Sequence, residues 1–248
     1  MDYMTRGIIN IVFVLTITVL VNSQSLNVHK TDGTVESFIL SQIDSIDFSS
    51  VFTTGIPCPG IPTLVHGGRV YNTVQIGDQC WIKENLDVGD MILRDQNSSD
   101  NGVIEKHCYN DNPANCTTFG GLYQWNEVME YTAIEGVQGI CPTSWHVPTL
   151  TEFIILKTRL KNDGNSLKAI GQGIDGGVGT NTSGFSALLA GFRYDNGFFT
   201  GVDYTTHFWS SSDYDEIHAW FMELGNHISQ VYFYAFSREF SASVRCIK

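Results

Sequence analysis

Positive charge is scarce in this chain. Fourteen lysines and arginines stand against 26 aspartates and glutamates, a net charge of −12 over 248 residues. A surface that acidic repels phosphate backbones, which excludes nucleic acid as a partner. No Cys-x-x-Cys pair occurs, and the closest cysteines are Cys108 and Cys116, so a structural zinc site is excluded on spacing. No Gly-x-Ser-x-Gly elbow marks a hydrolase nucleophile. The glycine-rich residues 171–179 are not followed by Gly-Lys-Ser/Thr, so they are a loop and not a phosphate cradle. Beyond Val21 no apolar run is long enough to span a membrane, and no internal repeat is visible.

One apolar run is present, at the start. Arg6 precedes residues 8–21, an apolar stretch broken by Asn10, Thr16 and Thr18, and Val21-Asn22-Ser23 has the small residues of a cleavage site. Residues 1–23 therefore read as a secretory signal peptide, with the mature chain starting at Gln24. Its removal takes away Asp2 and Arg6 together and leaves the charge at −12. No cysteine closely follows the run to carry a lipid. The expected location is secreted, cell-surface or periplasmic, in a bacterial envelope. In that oxidising setting six cysteines suggest three disulfides, whose connectivity spacing alone leaves open.

Residues 24–52 read as a small β unit. Leu26-Asn27-Val28-His29 alternates as a strand does, Asp32-Gly33 is a hairpin turn, residues 35–40 are the return strand, and residues 43–48 alternate again. Residues 53–60, with Gly55, Pro57, Pro59 and Gly60, read as a linker. In the main domain two helices are expected. Residues 120–131 place Leu122, Trp125, Val128 and Met129 on one side. Residues 149–161 open with a capping box, Thr149 and Glu152, and put Phe153, Leu156 and Leu160 on one face. Residues 69–75, 80–82, 207–212, 219–224, 230–236 and 241–247 read as strands, the last four as an antiparallel sheet, with most of their aromatics in the core.

Five segments carry a resemblance. They are the run from Tyr71-Asn72-Thr73 through Trp81-Ile82-Lys83-Glu84-Asn85-Leu86, Gly120-Gly121-Leu122-Tyr123-Gln124-Trp125-Asn126, Cys141-Pro142-Thr143-Ser144-Trp145-His146-Val147-Pro148-Thr149, Phe208-Trp209-Ser210-Ser211-Ser212, and Ser243-Val244-Arg245-Cys246-Ile247-Lys248. In this order they resemble the Fibrobacter succinogenes major paralogous domain, over residues 57–248. The N-terminal pattern is similar to a short segment of exported proteins of the Bacteroidetes–Fibrobacter type. Val147-Pro148-Thr149-Leu150-Thr151-Glu152-Phe153 and Val244-Arg245-Cys246 more distantly resemble formylglycine-generating and sulfatase-modifying domains. That likeness implies an α+β, C-type-lectin-like fold with two helices, a small antiparallel sheet and long loops. It also implies the pairing Cys58–Cys80, Cys108–Cys116 and Cys141–Cys246.

All six cysteines then have partners, so the copper-binding cysteine pair of the formylglycine-generating enzymes has no counterpart. The expected role is a non-enzymatic binding or surface-interaction module for a polysaccharide or an envelope protein. An enzyme on the same scaffold and a structural envelope component are the alternatives. Tyr194, Phe198, Phe199 and Tyr204, around the Asp195-Asn196-Gly197 turn, are candidates for stacking on sugars. No cofactor is expected except calcium. Neither Glu-Pro-Asn nor Trp-Asn-Asp occurs, Trp125-Asn126-Glu127 being the nearest approach, and the polar loop at residues 95–102 lacks the EF-hand register. Asp213, Asp215 and Glu216 are the oxygen-rich candidates for that ion. Ser210-Ser211-Ser212 lies near His207, but residues three apart on a strand face opposite ways, which argues against a nucleophile and base. His146 reads as a structural histidine, and His218 and His227 as facing each other across a hairpin.

Overall fold

The computed structural model describes residues 19–20, 23–30, 33–40 and 54–248. The chain divides into two units, Met1–Val51 and Phe52–Lys248. Residues 1–18 and 43–48 lie outside the described residues, so most of the leader and the third predicted strand are not described; Asp32, half of the predicted turn, falls there too. In the first unit β1 (Val19–Leu20), β2 (Ser23–His29) and β3 (Val35–Ile39) form an antiparallel sheet. The hairpin is tied by a Lys30–Glu36 ion pair at 2.8 Å and by Ser37 Oγ donating to Asn27 Oδ1.

In the second unit the elements run β4 (Thr54–Ile56), β5 (Thr63–His66), β6 (Arg69–Ile76), β7 (Gln79–Ile82), β8 (Asp90–Ile92), β9 (Glu105–His107), α1 (Pro113–Phe119), β10 (Tyr123–Gln124), α2 (Trp125–Val128) and α3 (Leu150–Arg159), then β11 (Ala190–Arg193), β12 (Phe199–Val202), β13 (Thr205–Asp213), β14 (His218–Gly225), β15 (Tyr232–Ser237) and β16 (Ser241–Ala242). The largest sheet has seven strands in the order β10-β16-β11-β13-β14-β15, with β12 paired to β11. A second sheet joins β4, β5 and β7 to β6.

Among the described residues strand far outweighs helix. This overturns the expected α+β, two-helix C-type-lectin-like domain: the architecture is mainly β, with several sheets. The helix expected at 120–131 fails for local reasons. Gly120 has φ +83°, and a Cβ there would lie 2.5 Å from Asn85 Cβ. Tyr123 and Gln124 pair with Ala242 and Ser241, and Glu130 and Tyr131 turn to positive φ, so one helical turn is left, α2. The helix at 149–161 forms as α3, with both bonds of the Thr149–Glu152 capping box in place. It stops at Arg159, because Lys161 and Asn162 are left-handed. α1 was not expected. Asn112 caps it by accepting from Ala114 N, and Pro113 fills its first turn.

Two apolar clusters form the core. One gathers Tyr123, Trp125, Trp145, Trp209 and Val244; the other gathers Trp81, Phe153, Phe185, Phe208 and Ile247. Between them runs the C-terminal segment, residues 243–247, buried throughout. Its Ser243 exchanges backbone bonds with His207 and Trp209, Val244 O accepts from Leu86 N, Cys246 O from Ile82 N, and Ile247 pairs with His146. Three disulfides close the unit: Cys58–Cys80, Cys108–Cys116 and Cys141–Cys246, the pairs that the resemblance implies.

Buried cations replace regular structure in the loops. Lys168 is fully buried and donates to the carbonyls of Gly177, Gly225 and Ile228. Arg193 donates to the carbonyls of Arg94 and Gln96. Arg245 binds Asn85 Oδ1 and the carbonyls of Phe185 and Ser186. Next to Arg193 lies His107, 1% exposed. Its Nε2–H donates to Gln96 O at 3.0 Å and its Nδ1 lies 3.2 Å from Ser241 Oγ, so the neutral ring fits its partners. Burial and the Arg193 charge hold its pKa down at about 4, against the bond to Gln96 and the carboxylates of Asp111 and Glu105. The unfolded chain protonates this histidine near pH 6.5 and the folded chain only near pH 4. Its contribution is therefore complete above pH 6.5 and falls away by about 3 kcal/mol on acidification to pH 4. Urea unfolding at pH 7 and pH 4.5 should show that loss, and His107→Gln should flatten the dependence; an unchanged slope in the variant would refute the assignment.

Candidate functional site

Register across three strands builds a cleft on one face of the large sheet. His207 lies opposite Glu223, which lies opposite Tyr232; Trp209 lies opposite Phe221, which lies opposite Tyr234. Directly paired residues share a face, and so do residues two apart. One face therefore carries Thr205, His207 and Trp209 from β13, Ala219, Phe221 and Glu223 from β14, and Tyr232, Tyr234 and Phe236 from β15. Phe192 and Tyr194, together with Phe240, complete a cavity of about 460 Å³ lined also by Thr205, His207, Phe221, Glu223, Tyr234, Ala235 and Phe236. That volume lies within the usual range for small-ligand pockets.

The polar centre is His207 with Glu223, Nε2 to Oε2 at 3.0 Å. The histidine is 5% exposed and stands edge-on to Phe192, Phe221 and Phe240, with centroids 4.8, 4.6 and 5.6 Å away. Burial lowers its pKa, and Glu223 opposes the shift. A neutral ring that donates from Nε2 leaves Nδ1 as acceptor, and Nδ1 is buried with no partner among the described residues. Thr205 Oγ1 donates to Leu224 O, so it is not poised against the histidine as a nucleophile. Only one carboxylate lines the cleft, and glycoside hydrolysis needs two.

Of the four aromatic candidates, only Tyr194 lines this cleft, packed on Phe192 at 4.9 Å. Phe198 and Tyr204 are 69% and 66% exposed and lie outside the cleft lining. Phe199 is a correction: it is buried beneath Tyr109, 5.4 Å away, and Arg94, 5.5 Å away, so it packs the domain and is closed to ligands. The calcium candidates do not converge. Asp213 pairs with Arg238, Asp215 accepts from Ile217 N, His218 N and the His218 ring, and Glu216 is exposed. Among the described residues no group of three His, Cys, Asp or Glu side chains is placed to hold a metal ion.

The Ser210-Ser211-Ser212 run falls at a register irregularity of β13 and serves the backbone: Ser212 Oγ accepts from Leu150 N, and Ser211 Oγ from Gly136 N. His146 pairs with Glu152, His218 with Asp215 and His227 with Asp175; the last two do not face each other. Sequence reasoning missed Glu223, Tyr234 and Phe236. For the two aromatics the signal was the period-two spacing in Tyr232-Phe233-Tyr234-Ala235-Phe236, which puts three aromatics on one face of an edge strand; Glu223, on β14, had none.

The second unit is a mainly β domain closed by three disulfides, with an aromatic cleft whose polar centre is the His207–Glu223 pair. Residues 74–248 match the Fibrobacter succinogenes major domain, and the chain belongs to that family. No curated protein and no solved structure matches it. Among the described residues no helix is long and apolar enough to cross a membrane.

Proposed function

We propose that this chain is an extracytoplasmic, non-enzymatic binding module whose aromatic cleft holds sugar rings of a surface polysaccharide. The observation that carries the reading is the cleft itself: Tyr194, Tyr234 and Phe236 offer faces to an apolar sugar surface, and Glu223 offers a partly exposed acceptor to a hydroxyl. The disulfides support a place outside the cytoplasm. Titrating the protein with a panel of cell-wall and plant polysaccharides, followed by intrinsic fluorescence, tests it. Tyr234→Ala should weaken the bound member at least tenfold, about 1.4 kcal/mol, and Glu223→Gln should weaken it too. Failure of the whole panel, or an unchanged affinity in Tyr234→Ala, would refute the sugar reading. A second reading rests on β15, which ends the sheet order and so offers an edge to an extended segment of an envelope protein.

A further inference from the structure

Three of the chain's 14 basic residues line one small cavity far from the cleft in lining and in chemistry. It measures about 310 Å³ and is lined by Arg69, Lys83 and Arg245 beside Glu84 and Asn85. Glu84 is the one acid among its lining residues, and both its oxygens are engaged, by Asn72 N at 2.8 Å and Asn72 Nδ2 at 2.7 Å. Arg69 is balanced by Asp87, which also takes Lys106. Lys83 has no ion pair among the described residues. Arg245 is 1% exposed, stacks 4.2 Å from the Phe185 ring, and has no carboxylate within ion-pair distance among the described residues. A guanidinium carries five N–H donors; Nε serves Asn85, and Nη1 and Nη2 each make one bond to a carbonyl, which leaves one N–H on each Nη.

A desolvated cation without a counter-charge is unfavourable, and burial pulls the Arg245 pKa down to about 9 although Glu84 opposes it. Lys168 shows the contrast, since its three donors go to three carbonyls. Arg245 combines uncommitted donors, missing counter-charge and an adjoining cavity that an unpaired lysine also lines. A carboxylate supplies what is missing: one negative charge and two oxygens that match a guanidinium fork.

We propose that the Arg69–Lys83–Arg245 cavity is a binding site for the carboxylate of a small acidic ligand, separate from the aromatic cleft and independent of what that cleft holds. The probe is sodium glucuronate, titrated calorimetrically at low salt, with glucose as the neutral control and inorganic phosphate and sulfate as alternative oxyanions. Saturable glucuronate binding is expected, with none for glucose. Lys83→Gln should weaken it about tenfold and Lys83→Glu should abolish it, while Glu223→Gln in the cleft should leave it unchanged. Among the described residues the Lys83 side chain makes no hydrogen bond or ion pair, its backbone N–H alone donating to Asn72 O, so these variants should remain folded, which the melting curve checks. Absent binding, equal affinity in Lys83→Glu, or a loss in Glu223→Gln would overturn the proposal. Phosphate or sulfate binding more tightly than glucuronate would overturn the carboxylate assignment.

Discussion

Replacing Cys141 and Cys246 together by serine should lower the unfolding free energy by about 4.8 kcal/mol, the largest loss of any cysteine pair. The bridge spans 105 residues, whereas Cys58–Cys80 spans 22 and Cys108–Cys116 spans 8. In the chain-entropy model the cost of opening a bridge grows with the logarithm of the loop, giving about 3.4 and 2.5 kcal/mol for the shorter two. Small domains have only about 5–15 kcal/mol in hand, so the Cys141/Cys246 variant should lose about a third or more of its stability and the Cys108/Cys116 variant about half as much as that. Urea titration of the three serine pairs checks the order. A Cys141/Cys246 variant no weaker than the Cys108/Cys116 one would contradict it.

Arg245→Leu should cost about 4 kcal/mol. The loss strands two buried acceptors, Asn85 Oδ1 and Phe185 O, and the part-buried Ser186 O, and each lost bond to a charged donor is worth about 1.5–3 kcal/mol, less the relief of removing a desolvated charge. It also removes the ring contact with Phe185. Arg245→Lys should recover only part of this, since one ammonium cannot reproduce the planar fork. Thermal unfolding of both variants tests the claim; an Arg245→Lys variant that melts with the parent chain would show that charge, and not fork geometry, is what matters there.

What could be read from the sequence was what neighbours in the chain decide. Thr149 and Glu152 sit three residues apart and cap α3 as expected. The disulfide pairs followed from the family likeness, and the chain forms them. The fold class was misread because the elements that define it are distant in sequence. Tyr123–Gln124 becomes a strand only because Ser241–Ala242 lies beside it, while the spacing of Leu122, Trp125 and Val128 suits a helix equally well. The cleft was hidden for a related reason. Glu223 meets His207 only through the register of β13 and β14, and exposed Tyr234 and Phe236 alternate with partly buried Phe233 and Ala235 in a segment that reads as uniformly apolar. Phe199 stood next to Phe198 in a turn, and nothing nearby in sequence marks the Tyr109 ring that covers it.

The segment 243–247, threaded between the two core clusters, sets the order in which this unit is able to fold. It is the last part of the domain to be synthesised, yet it supplies backbone partners to Ile82, Leu86, Trp209 and His146. Until it arrives, sheet edges on both sides stay open and neither cluster is closed. Both clusters are therefore closed by the same short stretch of backbone, and the Cys141–Cys246 bridge is the latch that holds it there.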